Sequence, residues 1–356
     1  TDSAFPEAFV KAITEGGWLG IAMPQAYGGA GLGVTETAIM AHAISRSGAG
    51  MSGASAVHLN LFGSNPIVVF GTEEQKARLL PPLIKGQDRA CFGVTEPDAG
   101  LNTTRLATRA VRDGDHYRIN GRKLWTTTAQ TANKILIIAR TRDLADCKKP
   151  TDGLTLFFTD LNRDSIEVRL IDKMGRKAID SNALFIDDLI VPVADRIGEE
   201  GDGWKCLLHG LNPERILIAA EAVGLGQAAL EKASQYARER VVFDRTIGKN
   251  QGIQHPLAEN WMELEAAQLM VFKAASLYDR GLPCGAEANA AKYLAAKAAF
   301  TACERAVLTH GGMGYAKEYH VERYLREIMI PVIAPISQEL IKSFIAEQVL
   351  GQEKSY

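Results

Sequence analysis

Cysteine is scarce in these 356 residues, and its distribution excludes more than it suggests. The five thiols, Cys91, Cys147, Cys206, Cys284 and Cys303, are odd in number, scattered and never spaced C-x-x-C, so neither a disulfide framework nor a zinc site is indicated. They are expected as free, buried thiols. The seven histidines form no H-E-x-x-H and no close pair at ligand spacing, and no G-x-S-x-G elbow occurs. Metal (none is expected) and serine-hydrolase chemistry are therefore unsupported. An excess of either charge is missing too. Lys plus Arg total 40 against 42 Asp plus Glu, and the net charge of −2 provides no overall field for nucleic acid or an anionic membrane. No apolar run approaches the roughly 20 residues that span a bilayer. The opening TDSAFPEAFV lacks the basic start and apolar core of a signal peptide. The chain is expected to be intracellular, cytoplasmic or in a mitochondrial matrix, with no membrane span.

What is present is the composition of a globular protein, 46% hydrophobic and 23% charged, long enough for two or three domains. Over residues 1–90 the apolar positions recur at helical spacing, as in TETAIMAHAISRS from Thr35. Thr72 and Gln75 are placed as a capping box, and Pro81-Pro82 are expected to end the helix that it opens. Over 91–200 the character changes to short β-rich runs, HYRIN, KLWTTT, KILIIART, LTLFFTDL, IEVRLI and ALFIDDLIV, with Asn120-Gly121 expected as a hairpin turn. Residues 201–356 return to long helical segments. GAEANAAKYLAAKAAF is Ala-rich enough to suggest closely packed helices. Helices, strands, helices is an α+β order with segregated layers. Gly48, Gly50 and Gly53 match G-x-G-x-x-G, with Glu73 at ribose-ligand distance, but a helical segment precedes them, so no dinucleotide site is expected.

The first specific constellation is CFGVTEPDAG at Cys91–Gly100, followed about thirty residues later by GRKLWTTTA at Gly121–Ala129. Two extended segments offering backbone amides and Thr hydroxyls beside a Trp face suit a flat, hydrogen-bonding heteroaromatic ring, although strands are Thr-rich for steric reasons alone. VTEPDAG, the K-x-W-x-T block at Lys123–Thr127, KMGRKAIDSNALFIDDLIVP at Lys173–Pro192, YARERVVF at Tyr236–Phe243 and HGGMGY at His310–Tyr315 together resemble the acyl-CoA dehydrogenase family. The five blocks stand in the family's order across essentially the whole chain.

The resemblance implies an N-terminal helical domain (1–90, with the family's first helix or helices upstream of Thr1), a middle antiparallel β domain (91–200) and a C-terminal four-helix bundle (201–356). FAD would lie between the β domain, the bundle and a neighbouring subunit of a homotetramer built as a dimer of dimers. The implied reaction is α,β-dehydrogenation of an acyl-CoA, with electrons passing to an electron-transfer flavoprotein or similar acceptor. By the same resemblance Phe92, Val94 and Thr95 line the flavin ring, and Trp125 and Thr127 cover a face and contact its reactive edge. Arg240, Phe243 and Gln251 contact the partner subunit's FAD, Gly311 and Gly312 let backbone approach the cofactor, and Ser337 and Gln338 form its adenine-side contact. Leu101 and Leu308 depart from the family's usual Ser and Gln, which puts one substrate contact and one cofactor contact in question.

The family's usual catalytic Glu lies in a Y-E-G-T-S segment, and the matching VIAPISQ here places Ala334 at the acid. Alanine takes no proton, but its backbone N–H remains available to polarise a thioester oxygen. The isovaleryl-CoA dehydrogenase branch puts its Glu in an L-x-x-E-R sequence, which LNPERILIA at Leu211–Ala219 matches, with Glu214 as the base and Asn212 and Arg215 on the substrate side. Asn212 is expected as an N-cap and Pro213 as the first helical residue, setting Glu214 in a first turn. A first-turn acid complementing the helix dipole is the alternative explanation of the same residue. Two other readings stay open: a flavin oxidase of this fold, and a flavoprotein assembly subunit without catalysis. Gly53 stands near the place of the arginine that binds a distal carboxylate in glutaryl-CoA enzymes, so a dicarboxylyl substrate is not expected.

Overall fold

The computed structural model describes residues 4–354. The helices are α1 (Glu7–Glu15), α2 (Val34–Ile44), α3 (Gly50–Phe62), α4 (Asn65–Phe70), α5 (Glu73–Ile84), α6 (Gly203–Glu239), α7 (Gln251–Asp279), α8 (Gly285–His310), α9 (Val321–Glu327), α10 (Met329–Ile333) and α11 (Gln338–Gln348). The strands are β1 (Ala90–Gly93), β2 (Arg109–Asp113), β3 (His116–Thr127), β4 (Lys134–Arg140), β5 (Leu154–Asp160), β6 (Ile166–Leu170), β7 (Ser181–Pro192), β8 (Arg196–Ile197), β9 (Val241–Val242) and β10 (Arg245–Thr246). Helical, β and helical regions follow one another as expected. Among the described residues the packing forms two compact units, one of residues 4–32, 56–173 and 177–211, the other of 33–55, 174–176 and 212–354.

The first unit is built on a sheet in the order β6-β7-β3-β2-β4-β5-β8, with β1 added parallel to β4 and the β2–β4 pairing also parallel. The other pairings are antiparallel. β4 is buried on both faces, so its run reads as continuously apolar. Leu136 and Ile138 join a core with Leu79, Leu80 and Leu83 of α5, while Ile135, Ile137 and Ala139 join Tyr117, Phe157 and Val191 on the other side. Thr72 and Gln75 form the expected capping box. Pro81 and Pro82 do not stop α5, which runs to Ile84, because they lie in its last turn. Asn120-Gly121 is not a hairpin turn: β3 passes through it, with a register shift between Ile119 and Gly121, and the β2–β3 turn falls at Gly114 instead. At Gly121 φ is 156°, and a Cβ would lie 2.7 Å from Thr108 Cα. The glycine is required by that close approach and marks a bulge.

In the second unit α7 and α8 pack along their lengths, with α2, α9, α10 and α11 around them. The Ala-rich sequence of α8 does what its composition suggests. Ala288, Ala295, Ala299, Ala302 and Ala306 form a buried stripe, and a Cβ on Gly226 of α6 would meet Ala299 Cα at 2.9 Å. Asp279 at the end of α7 accepts from Val34 and Thr35 amides, satisfying donors at the start of α2. Gly48 and Gly50 fall on a π-turn and the opening of α3, after a helix and not a strand, as the dismissal of a dinucleotide loop requires. Val321–Gln348 contains an 18-residue window of mean hydropathy 1.4, long and apolar enough by composition to cross a membrane, but the span is divided into α9, α10 and α11. All five cysteines are free, four buried and Cys147 half-buried.

Candidate active site

In the first unit the chain leaves β1 through Val94, Thr95 and Glu96 and is fastened to β3. Leu124 N–H donates to Thr95 O at 2.8 Å. Lys123, completely buried, donates from Nζ to Glu96 Oε1 at 2.8 Å and to Val94 O at 3.1 Å. The Glu96 carboxylate, 6% exposed, also accepts from Ala107 N–H at 2.6 Å and Thr108 N–H at 3.1 Å. Burial draws the Lys123 amine down to about 8 against the pull of Glu96. Burial pushes the Glu96 carboxyl up, but Lys123 and the two N–H donors outweigh it and hold the group below its ordinary value. Arg140 clips the same loop further on, donating to Thr104 O, Leu106 O, Pro150 O and Asp152 O. Neither Glu96, Lys123 nor Arg140 is among the sequence candidates, although the first two stand inside the quoted motifs.

These fastenings bring Phe92, Val94, Thr95, Trp125 and Thr127 onto adjoining segments. Phe92 and Val94 are half-buried against the core. β3 slips register between Lys123 and Thr126, and Trp125 takes φ 61° and is 54% exposed. A bulky residue in left-handed conformation is costly and persists where the surroundings impose it. The result is an indole turned out of the sheet beside hydrogen-bonded backbone, which fits a planar group with a polar edge. Leu101 lies exposed on the clipped loop.

In the second unit, Asn212 is not an N-cap and Glu214 is not in a first turn. α6 begins at Gly203, and Pro213 lies inside it. The local N-cap signal is overridden because apolar side chains continue on both sides of it, while Pro213 only removes one donor from the ladder. The dipole explanation of Glu214 falls with the first turn. Glu214 is half-buried, and Arg215 beside it donates from Nη1 to Asn212 Oδ1 at 2.9 Å. Arg215 Nε is buried without a hydrogen-bond partner, and burial lowers the guanidinium's proton affinity, with Glu214 opposing. Burial, and after it the charge of Arg215, lowers that of Lys292, whose buried amine donates to Ile336 O at 2.5 Å. Ala334, with no acid, sits in the turn after α10, and its N–H donates to Ile330 O at 2.8 Å. Ser337 caps α11 through Leu340 N–H, and Gln338 is that helix's first residue.

Arg240 follows α6, and Phe243 and Asp244 form a two-residue turn between β9 and β10, both with positive φ, as a primed hairpin turn requires. This turn holds Phe243 93% exposed. Gln251 opens α7 and is exposed. Gly311 and Gly312 are exposed, with nothing within 4 Å of where a Cβ would stand, so a ligand could lie directly on their backbone. His310 stacks on Tyr236 at 4.3 Å and meets Tyr319 edge-on, tying the glycine turn to the end of α6. Leu308 is exposed.

Family models of the acyl-CoA dehydrogenase N-terminal, middle and C-terminal domains match residues 1–87, 91–189 and 201–350. An acyl-CoA dehydrogenase of Bacillus subtilis is 37% identical over 348 residues, 98% of this chain and 90% of the relative. The caffeyl-CoA reductase-Etf complex subunit CarC of Acetobacterium woodii is 33% identical over 350 residues, 97% of this chain and 90% of the relative. The structure of butyryl-CoA dehydrogenase from Megasphaera elsdenii superposes with a TM-score of 0.92 at 31% identity, covering 98% of this chain and 91% of that one. The chain belongs to the acyl-CoA dehydrogenase family, FAD-dependent oxidoreductases acting on acyl-CoA.

Proposed function

We propose that this protein dehydrogenates an acyl-CoA thioester between Cα and Cβ to the 2-enoyl-CoA, with Glu214 as the base that removes the α-proton. The observation that carries this reading is the neighbourhood of Glu214. Arg215 beside it also acts on Lys292, and Lys292 holds Ile336 in the very turn where Ala334 has replaced an acid. A carboxylate thus lies in the same compact unit as the segment from which the family's usual carboxylate is missing, and its neighbour Arg215 is near enough for its charge to be felt at Lys292.

Bound FAD supplies the hydride acceptor. Phe92, Val94, Thr95, Trp125 and Thr127 would hold its ring, Gly311, Gly312, Ser337 and Gln338 other parts, and Arg240, Phe243 and Gln251 the cofactor of a partner subunit in a tetramer. The α-carbon is a weak acid, so the thioester oxygen needs donors as charge develops. The Ala334 N–H serves only if the oxygen shares or displaces its bond to Ile330 O. Arg215 supplies a fixed cation beside Glu214, and Asn212 orients it. Gly53 supports a monocarboxylic acyl chain: a Cβ there would lie 2.5 Å from Ala49 Cβ, leaving no room for an arginine. An electron-transfer flavoprotein is the proposed acceptor, consistent with the Etf-complex relative.

Anaerobic titration of the yellow protein with acyl-CoAs of graded length and branching tests the reaction, and bleaching by at least one is expected. Glu214→Gln should keep FAD bound and lose the bleaching. Near-normal turnover in that variant would remove Glu214 as the base, no bleaching across the panel would remove dehydrogenation, and peroxide release in air without an acceptor would point to an oxidase.

A further inference from the structure

We propose that Lys292 is a positioning residue for this reaction, its amine holding the Ile336 carbonyl and thereby the turn that presents Ala334; the inference rests on the function proposed above. Lys292 lies on the inner stripe of α8, among Ala288, Ala291, Ala295 and Ala296, and is completely buried. An ammonium has three donors, and here one of them has an acceptor, Ile336 O at 2.5 Å. Burial, reinforced by Arg215 of α6, draws the amine down to about 8, while Glu339 of α11 pulls the other way.

A position kept for packing alone is better served by methionine, which fills the same volume without an amine to desolvate. What the amine adds is a grip on a carbonyl in a segment that has little other hold. Residues 334–337 are the non-helical link between α10 and α11. At one end Ala334 N–H closes α10 on Ile330 O, and at the other Ser337 Oγ caps α11. Between those ends the side-chain tether, among the described residues, is Lys292. Released there, the Ile336 peptide loses its side-chain restraint, and the link that follows Ala334 is held only by its two ends.

The test compares FAD-loaded wild type, Lys292→Met, Lys292→Gln and Glu214→Gln on an acyl-CoA that bleaches wild type. Lys292→Met is expected to retain FAD and thermal stability, to leave KM within about threefold and to lower kcat about 10- to 100-fold, the scale of a small misplacement of a reacting group. Hydrogen exchange of the Ile336, Ser337 and Gln338 amides should quicken in it, with α8 unchanged. Lys292→Gln serves the same comparison if the methionine variant does not fold. An unchanged kcat, a change confined to KM, or unchanged exchange at 336–338 overturns the proposal. Loss of kcat in the Lys292 variants with full turnover in Glu214→Gln would remove the base assignment and leave the tether standing.

Discussion

Lys123→Met is the sharpest test of how the ring-facing segments are held. In the protein as it stands, three donors meet the Glu96 carboxylate: Lys123 Nζ at 2.8 Å, Ala107 N–H at 2.6 Å and Thr108 N–H at 3.1 Å. Methionine fills the lysine stem but removes the counter-charge and the donor to Val94 O. Breaking a buried pair from one side costs about 3–5 kcal/mol. Two amide donors remain, so the lower end, about 3 kcal/mol, is expected. The loss has a sign in pH. In wild type the Glu96 carboxyl titrates below its unfolded value of 4.5, so its stabilisation is present above that value and fades as pH falls through the folded one. In the variant, burial acts unopposed by Lys123 and raises the carboxyl relative to wild type, so the deficit grows as pH rises from acid towards neutral. Glu96→Gln added to Lys123→Met replaces the stranded charge with a neutral group and should recover most of the loss. Urea denaturation from pH 4.5 to 8, with FAD content measured alongside, reads all of this. A Lys123→Met deficit below about 1 kcal/mol, or one that does not vary with pH, would refute the reasoning.

Two further outcomes follow from the same kind of geometry. Gly121→Ala should destabilise the first unit by about 1–3 kcal/mol, because the new Cβ meets Thr108 backbone in a conformation alanine resists; a melting temperature equal to wild type would contradict this. His42 and His310 both titrate below 6.5, mainly through burial, so the unfolded chain binds protons that the folded one does not as pH falls below 6.5. Stability is expected to decline with acidification through that window and to decline less in a His42→Gln, His310→Gln double variant; an identical slope in the two proteins would exclude these histidines as its source.

The order of helices, strands and helices was legible because hydrophobic periodicity is a local property, and so was the capping box at Thr72, whose partners lie three residues apart. The misreadings at Asn120-Gly121, Pro81-Pro82 and Asn212-Pro213 share one cause. Each is a sound local signal for a turn or boundary, and in each the flanking residues gain more by continuing the strand or helix across it. The Trp125 outlier and the Glu96–Lys123 pair could not be read, since neither register nor a contact across 27 residues is written in a window of sequence. Lys292 was closer to legible: it stands at the helical interval that puts Ala288 and Ala295 inside, and a lysine in that register is a buried lysine.

Pro213 has one more implication. α6 is one helix along its path, but the missing N–H takes a rung from its ladder at the point where residue 211 belongs to one compact unit and residue 212 to the other. In the language of cooperativity it is two foldons written as one element, so amide protection over 203–209 should track the melting of the first unit and protection beyond Glu214 that of the second. The proposed base therefore lies in the second unit, just beyond that division in the helix.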